Sequence, residues 1–234
     1  MARLSSQHGW ILHRRAWRET SLLVELFSLE HGRVGLVARG ARAARSSWRG
    51  LGEPFIPLEC EWTRRGEMGT LTRLEPAGTR PQLPGRRLWC GLYANELLIH
   101  LVERDEPVPE LFAGYERLLA SLGGDDDPGD ALRRFELALL RVLGVAPDLT
   151  REAGAGEPIA PEAWYRLEPE SGFFPVPDGH GRGVYSGEAI LSLARGAAAD
   201  STLRRQAREI TRCLLDHQLG GRVLKTRELF RSLQ

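Results

Sequence analysis

Along the first 78 residues apolar positions recur at every second residue in short runs, and glycine breaks the runs. Leu22, Val24 and Leu26 follow this period, as do Phe55 and Pro57, and a spacing of two is what a half-buried strand requires. Five strands are predicted, at about residues 10–13, 21–29, 34–39, 55–64 and 69–74, with Gly32, Gly40 and the turn Arg65-Gly66-Glu67 between them. Trp10 and Trp62 fall within strands and are expected in the core. Five short strands are too few for a sandwich and suit a closed five-stranded barrel of the oligonucleotide-binding (OB) type.

From Pro84 onward the spacing lengthens to that of helices. Leu88, Leu92, Leu98, Leu101 and Val102 mark one; Leu111, Tyr115, Leu118 and Leu119 mark the next, opened by Pro109 and stopped by Gly123-Gly124. A third helix runs over about residues 128–143. Its apolar positions go almost all the way round, so it is expected at the centre of its domain. Leu203, Ala207, Ile210 and Leu214 give a later stripe closed by Gly220-Gly221, and a short last helix starts near Lys225. The Gly/Pro-rich residues 145–187 do not fit either period; residues 165–167 and 173–176 are expected to form a hairpin, the rest a loop region. The expected class is therefore α+β: an OB barrel over residues 1–78, then a mainly helical domain over residues 79–234 carrying an irregular insert at about 145–187.

Charge sharpens this division. Residues 1–80 carry 13 Arg against eight Glu, residues 81–160 carry eight Arg against 14 acidic residues, and residues 161–234 carry 11 basic against nine acidic ones. A basic opening and an acidic middle point to different partners for different parts of the chain. All basic residues but Lys225 are arginine, whose planar fork fits phosphate or carboxylate. Cys60, Cys90 and Cys213 are scattered without a CxxC pair, and the six histidines are dispersed, so neither a disulfide framework nor a zinc site is expected. No apolar run opens the chain and none reaches the roughly 18 residues of a membrane span; the expected location is the cytoplasm.

The nucleotide-binding and hydrolytic motifs are missing: no GxxxxGK[ST], GxSxG or HExxH occurs. Asp125-Asp126-Asp127 lacks the ligand spacing of an EF-hand and reads as a solvated loop whose last Asp caps the following helix. No catalytic residue and no cofactor is expected. What remains is a binding constellation. Arg39, Arg42, Arg45, Trp48 and Arg49 share one Gly-containing segment beside a strand, and Arg14, Arg15, Trp17 and Arg18 repeat the theme after the first strand. Spaced arginines can follow a phosphate backbone while an aromatic ring offers any base a stacking face. Arg133 and Arg134 are read in the first turn of the central helix, where each cation opposes the dipole at a cost of about 0.3–1 kcal/mol. They mark either an anion site beside apolar side chains or a plain pairing with nearby acids.

The run LHRRAWRETSLLVELFSLEHGRVGLVARGARAARS at residues 12–46 resembles the opening of the RecO family of bacterial recombination mediators. PFIPL at residues 54–58, GLYANELL at 91–98, Leu111-Phe112, LRRFELALLRVLG at 132–144 and LGGRVLKTRELF at 219–230 continue the likeness in order along nearly the whole chain. The resemblance implies an OB-fold and a helical domain. It further implies binding of single- and double-stranded DNA, annealing of complementary strands, and loading of RecA onto DNA coated by single-stranded-DNA-binding protein, often with RecR, in association with the nucleoid. It implies that the coating protein's acidic C-terminal tail is held by Arg133, with Arg134 beside it. Lys225 and Arg227 are further candidate DNA contacts, should the barrel patch not be the DNA site. Many relatives carry a four-cysteine zinc site where residues 145–187 lie; that window holds no cysteine here, as in a zinc-less branch. An OB-fold RNA-binding or translation-associated protein is the alternative from the residues alone.

Overall fold

A computed structural model describes every residue except Met1, Ser47, Arg49, Arg65, Leu233 and Gln234; Arg49 and Arg65, singled out above, thus lie outside the described residues. Five strands, β1 (Ala2–Trp17), β2 (Ser21–Ser28), β3 (Gly32–Ala38), β4 (Pro57–Arg64) and β5 (Gly69–Pro76), close a barrel in the order β1-β2-β3-β5-β4. All pairs are antiparallel except β3 with β5, where Leu36 and Val37 lie opposite Gly69 and Thr70. Gly69 permits that closure, because a Cβ there would stand 2.6 Å from Leu36. This is the OB-fold expected from five short strands.

The first strand is 16 residues long, against the four expected at residues 10–13. Its two halves serve different neighbours: residues up to Trp10 pair with β4, and residues from Gly9 on pair with β2. Bulges after Leu4 and Ile11 shift the register, which destroys a single period-two pattern in the sequence. Inside the barrel lie Ile11, Leu22, Val24, Leu26, Leu36, Leu58, Trp62 and their neighbours. Trp10 and Trp62 are buried as expected. Cys60 shares this interior, where burial and then the Glu59 charge push its thiol up to about 12, so it packs as an inert small hydrophobe.

Helices α1 (Arg86–Leu101) and α2 (Pro109–Gly123) follow. The buried face of α1 is Gly91, Ala94, Asn95, Leu97 and Leu98 with Cys90, while Leu88 is exposed. At Gly91 a Cβ would meet the Phe55 ring at 2.9 Å, so the missing side chain sets how closely the helix approaches the barrel. Asn95 fixes the contact chemically: its Nδ2 donates to the Leu12 carbonyl at 2.9 Å and its Oδ1 accepts from the Tyr115 hydroxyl at 2.6 Å. Asn95→Ala breaks both buried bonds and should cost about 2–3 kcal/mol, read as a lower urea midpoint at unchanged m-value.

Gly124–Val223 form a second compact unit, and the rest of the described chain, including the C-terminal helix α6 (Lys225–Ser232), belongs with the barrel. The change from strands to helices near residue 80 is thus not where compactness divides. In the second unit α3 (Pro128–Val142) packs on α5 (Ser201–Leu219), which also receives α4 (Gly187–Arg195). Asp127 caps α3, accepting from the backbone of Gly129 and Asp130. The expected hairpin is present as β6 (Trp164–Glu168) and β7 (Gly172–Val176), with β8 (Val184–Ser186) added on the other edge of β6. Neither β8 nor α4 stands out by periodicity. Ser186 ends the one and caps the other through Ala189 N, and Gly196, left-handed at φ 74°, stops α4.

Elsewhere in residues 145–187 a carboxylate organises the chain. Glu152 accepts backbone N–H groups of Gly154 at 2.7 Å, Ala155 at 2.5 Å and Glu157 at 3.3 Å. Desolvation works to raise its pKa, but these donors together outweigh it and hold the carboxyl below its usual range.

Candidate nucleic-acid interface

Residues paired across antiparallel strands share a face, and the register sorts the basic residues accordingly. Arg15 lies opposite Leu23, Trp17 opposite Ser21, and Leu23 in turn opposite Val37. Since Leu22, Val24 and Leu26 fill the barrel, this alternate set forms its outer surface. One end of that surface is covered by α2: Phe27 is fully buried, with its ring 5.3 Å from Phe112 and 6.1 Å from Tyr115. The other end is uncovered. There Leu23, Val37 and Met68 floor an open groove of about 1020 Å³, with Trp17, Arg15 and Arg39 at its sides. Gly35 lets Met68 lie down on the sheet, since a Cβ would approach its Sδ to 2.9 Å.

The two arginine clusters of the sequence meet at this groove. Arg18 takes a left-handed conformation, φ 53°, and opens the turn between β1 and β2. The Arg42 backbone N–H donates to Thr20 O at 2.8 Å, and its guanidinium donates to Arg18 O at 3.2 Å, tying the segment after β3 to the tip of that hairpin. Arg15, Arg18, Arg39 and Arg45 are exposed and form no ion pair with another described residue. Glu25 lies on the same face, but Arg33 and Arg104 both bind its carboxylate. Glu19 also lines the groove, against three arginines.

Not every residue singled out in the sequence joins this surface. Arg14 has the opposite parity to Arg15, and its guanidinium is bound to Glu53. Trp48 is half-buried and packs against the barrel core. Lys225 and Arg227 belong to α6: the Lys225 and Thr226 backbone N–H groups are capped by Glu96, and the Arg227 guanidinium lies over the Tyr93 ring at 5.3 Å while donating to its hydroxyl. The apolar floor was not singled out beforehand. Its signal was present, since Leu23 in β2 and Val37 in β3 are apolar at the outward positions of strands whose inward positions are already apolar.

On α3 the helix begins at Pro128, so Arg133 and Arg134 stand in its second turn, not the first. This corrects the dipole argument, which falls off within one turn. The Arg133 Nε lies 2.5 Å from Glu136 Oε2 and its Nη2 donates to Oε1 at 2.7 Å. Both residues are buried, Glu136 at 1% exposure. Arg134 is looser, 3.3 Å from Asp126 and 3.1 Å from the Gly196 carbonyl. No group of three or more His, Cys, Asp or Glu side chains placed to hold a metal occurs among the described residues.

Comparison with known proteins bears on the whole chain. Residues 1–80 match the family model for the N terminus of recombination protein O, and residues 84–228 match that for its C terminus. The chain is 42% identical to the DNA repair protein RecO of Methylococcus capsulatus over 99% of its own length and 95% of that protein's. It is 43% identical to the RecO of Halorhodospira halophila, with 97% of each chain covered, and 41% identical to that of Haemophilus influenzae over 96% and 94%.

Proposed function

The chain belongs to the RecO family and acts in DNA repair and recombination, and from that premise we propose that it is a binding protein that brings DNA strands together. Phosphate backbones lie in and beside the groove of the barrel, held by Arg15, Arg39, Arg42 and Arg45. The observation that carries this reading is the cluster of arginines around an apolar floor that form no ion pair with another described residue. Such charges bind a polyanion by releasing its counterions. Neutralised strands repel one another less, and a protein that grips phosphates leaves base edges free to pair; annealing follows from those two facts. Arg14, held by Glu53, positions the loop beside this surface, and Lys225 and Arg227 offer further phosphate contacts on α6.

The same reading gives the second unit a protein partner. The C-terminal tail of single-stranded-DNA-binding protein docks its terminal carboxylate on Arg133, with Arg134 nearby; the apolar side chains of α3 are themselves packed in the core of the unit. RecR and the RecA filament are the further partners, and the nucleoid is the place of action. No helix among the described residues is long and apolar enough to cross a membrane.

The test is a titration of fluorescent single-stranded and duplex DNA at several salt concentrations, followed by annealing of complementary strands with and without the coating protein. Binding that weakens steeply with salt, together with annealing of coated strands, is the expected result. Salt-independent binding, or binding without annealing, would overturn the proposal.

A further inference from the structure

We propose that the open end of the groove is a single-strand-selective subsite that takes an unstacked base against the indole of Trp17; this rests on the DNA reading above and assigns it a specificity. Trp17 is the only exposed tryptophan among the described residues, at 40% exposure. It ends β1 beside the left-handed Arg18, opposite Ser21, so a small residue faces it across the hairpin.

An exposed indole beside an apolar floor has an aqueous cost, and the covered end of the same surface shows how this fold otherwise removes it. Phe27 is closed off by Phe112 and Tyr115, whereas Leu23 and Val37 remain only half-buried. The uncovered end therefore has the make-up of a surface left for a ligand: an aromatic face, an apolar floor of Leu23, Val37 and Met68, and cations at Arg15 and Arg39. A ligand that matches this is flat and apolar on one side and anionic along its edge. A nucleotide in a single strand meets both demands, with its base on Trp17 and its phosphate on the arginines. In a duplex the bases are stacked inside the helix, and only the phosphates reach the groove. Trp17 thus separates the two forms of DNA, while the arginines serve both.

The test uses the full-length protein, a labelled oligo-dT strand, a strand of equal length with a central run of abasic sites, and a duplex. Stacking on aromatic side chains changes affinity by about 5- to 150-fold per base. Trp17→Ala should lose that factor on oligo-dT, Trp17→Phe should keep most of the affinity, and duplex binding should be unchanged. On the abasic strand the parent should already be weak and Trp17→Ala should weaken it no further. Trp17 is exposed, so the variants fold, which their melting curves verify. Equal affinity of parent and Trp17→Ala for oligo-dT overturns the subsite, as does an equal loss on all three DNAs. Loss of binding to an acidic, apolar peptide with DNA affinity intact would assign the groove to a protein tail and also overturn it. The DNA reading has a separate failure, a parent protein that binds none of the three DNAs in a salt-dependent way.

Discussion

Arg133→Ala will lower the stability of the protein by about 3–5 kcal/mol, because it leaves the Glu136 carboxylate buried without its cation. The reciprocal change, Glu136→Ala, strands the arginine and should cost a comparable amount. Replacing both at once, as Arg133→Met with Glu136→Leu, should recover most of the loss, since a buried ion pair offers little net advantage over apolar side chains of similar volume. Urea unfolding of the three variants makes a cycle whose coupling energy measures the pair. The same variants decide what the pair is for. Under the proposed tail site, the folded double variant no longer binds a synthetic tail peptide, and Glu136→Gln, which removes the competing negative charge, binds it more tightly than the parent. If the double variant binds the peptide as the parent does, Arg133 is an internal salt bridge and the tail docks elsewhere. Testing Arg133→Ala alone would confuse the two roles, because a loss of binding would also follow from unfolding.

Much of the fold was legible because its elements bury residues at regular spacing. The barrel strands β2 and β3 and the helices α2, α3 and α5 all show this, and Pro109, Asp127 and Gly220 mark helix ends as read. Reading failed where burial was not apolar. The inner face of α1 combines Leu97 and Leu98 with Gly91, Ala94 and Asn95, two small residues and an amide, so the leucine stripe found Leu98 and Val102 but missed the small and polar positions and placed the exposed Leu88 inside. A small residue buried for close approach and an amide buried for its hydrogen bonds both look like surface in a hydropathy pattern. The long β1 failed differently, since two bulges and a change of partner break its alternation. In α4 the nine residues are too few for a stripe to be distinct, although Ser186 and Gly196 bracket it at the cap positions.

The candidate site was legible in composition and illegible in direction. Clusters of arginine are visible in any sequence, but only strand parity separates Arg15, which faces the groove, from Arg14, which is held by Glu53. Proximity to arginine favoured Trp48 as the stacking residue. It instead packs on the barrel core, as Ala41 and Leu51 do, while Trp17 shares the parity of Arg15 and stays exposed. Parity within a strand was available from the sequence once the strand was known to run to Trp17. The packing of Trp48 was not, because it lies in a segment of turns with no period to follow.

Removing the arginines should therefore act on every DNA alike. The triple variant Arg39→Ala, Arg42→Ala, Arg45→Ala is expected to weaken single-stranded and duplex DNA by similar factors and to flatten the dependence of log affinity on log salt. Each lost phosphate contact removes roughly 0.7 from the slope on single strands and 0.9 on duplexes, so three should remove about 2 and about 3. Arg42 has a structural part as well, through its bond to Arg18 O, but its backbone bond to Thr20 survives in the variant and keeps the segment against the hairpin. The barrel core is untouched, so the melting temperature should stay close to the parent's. A fall in affinity with an unchanged salt slope would mean that the arginines shape the loop without meeting phosphate. A triple variant that binds and anneals like the parent would move the DNA path to Lys225 and Arg227. Of these Lys225 would be the better candidate, because the Arg227 guanidinium is already held on Tyr93. The contrast with Trp17→Ala is the sharper test of the groove: loss of charge should cost both forms of DNA together, and loss of the indole only the single strand.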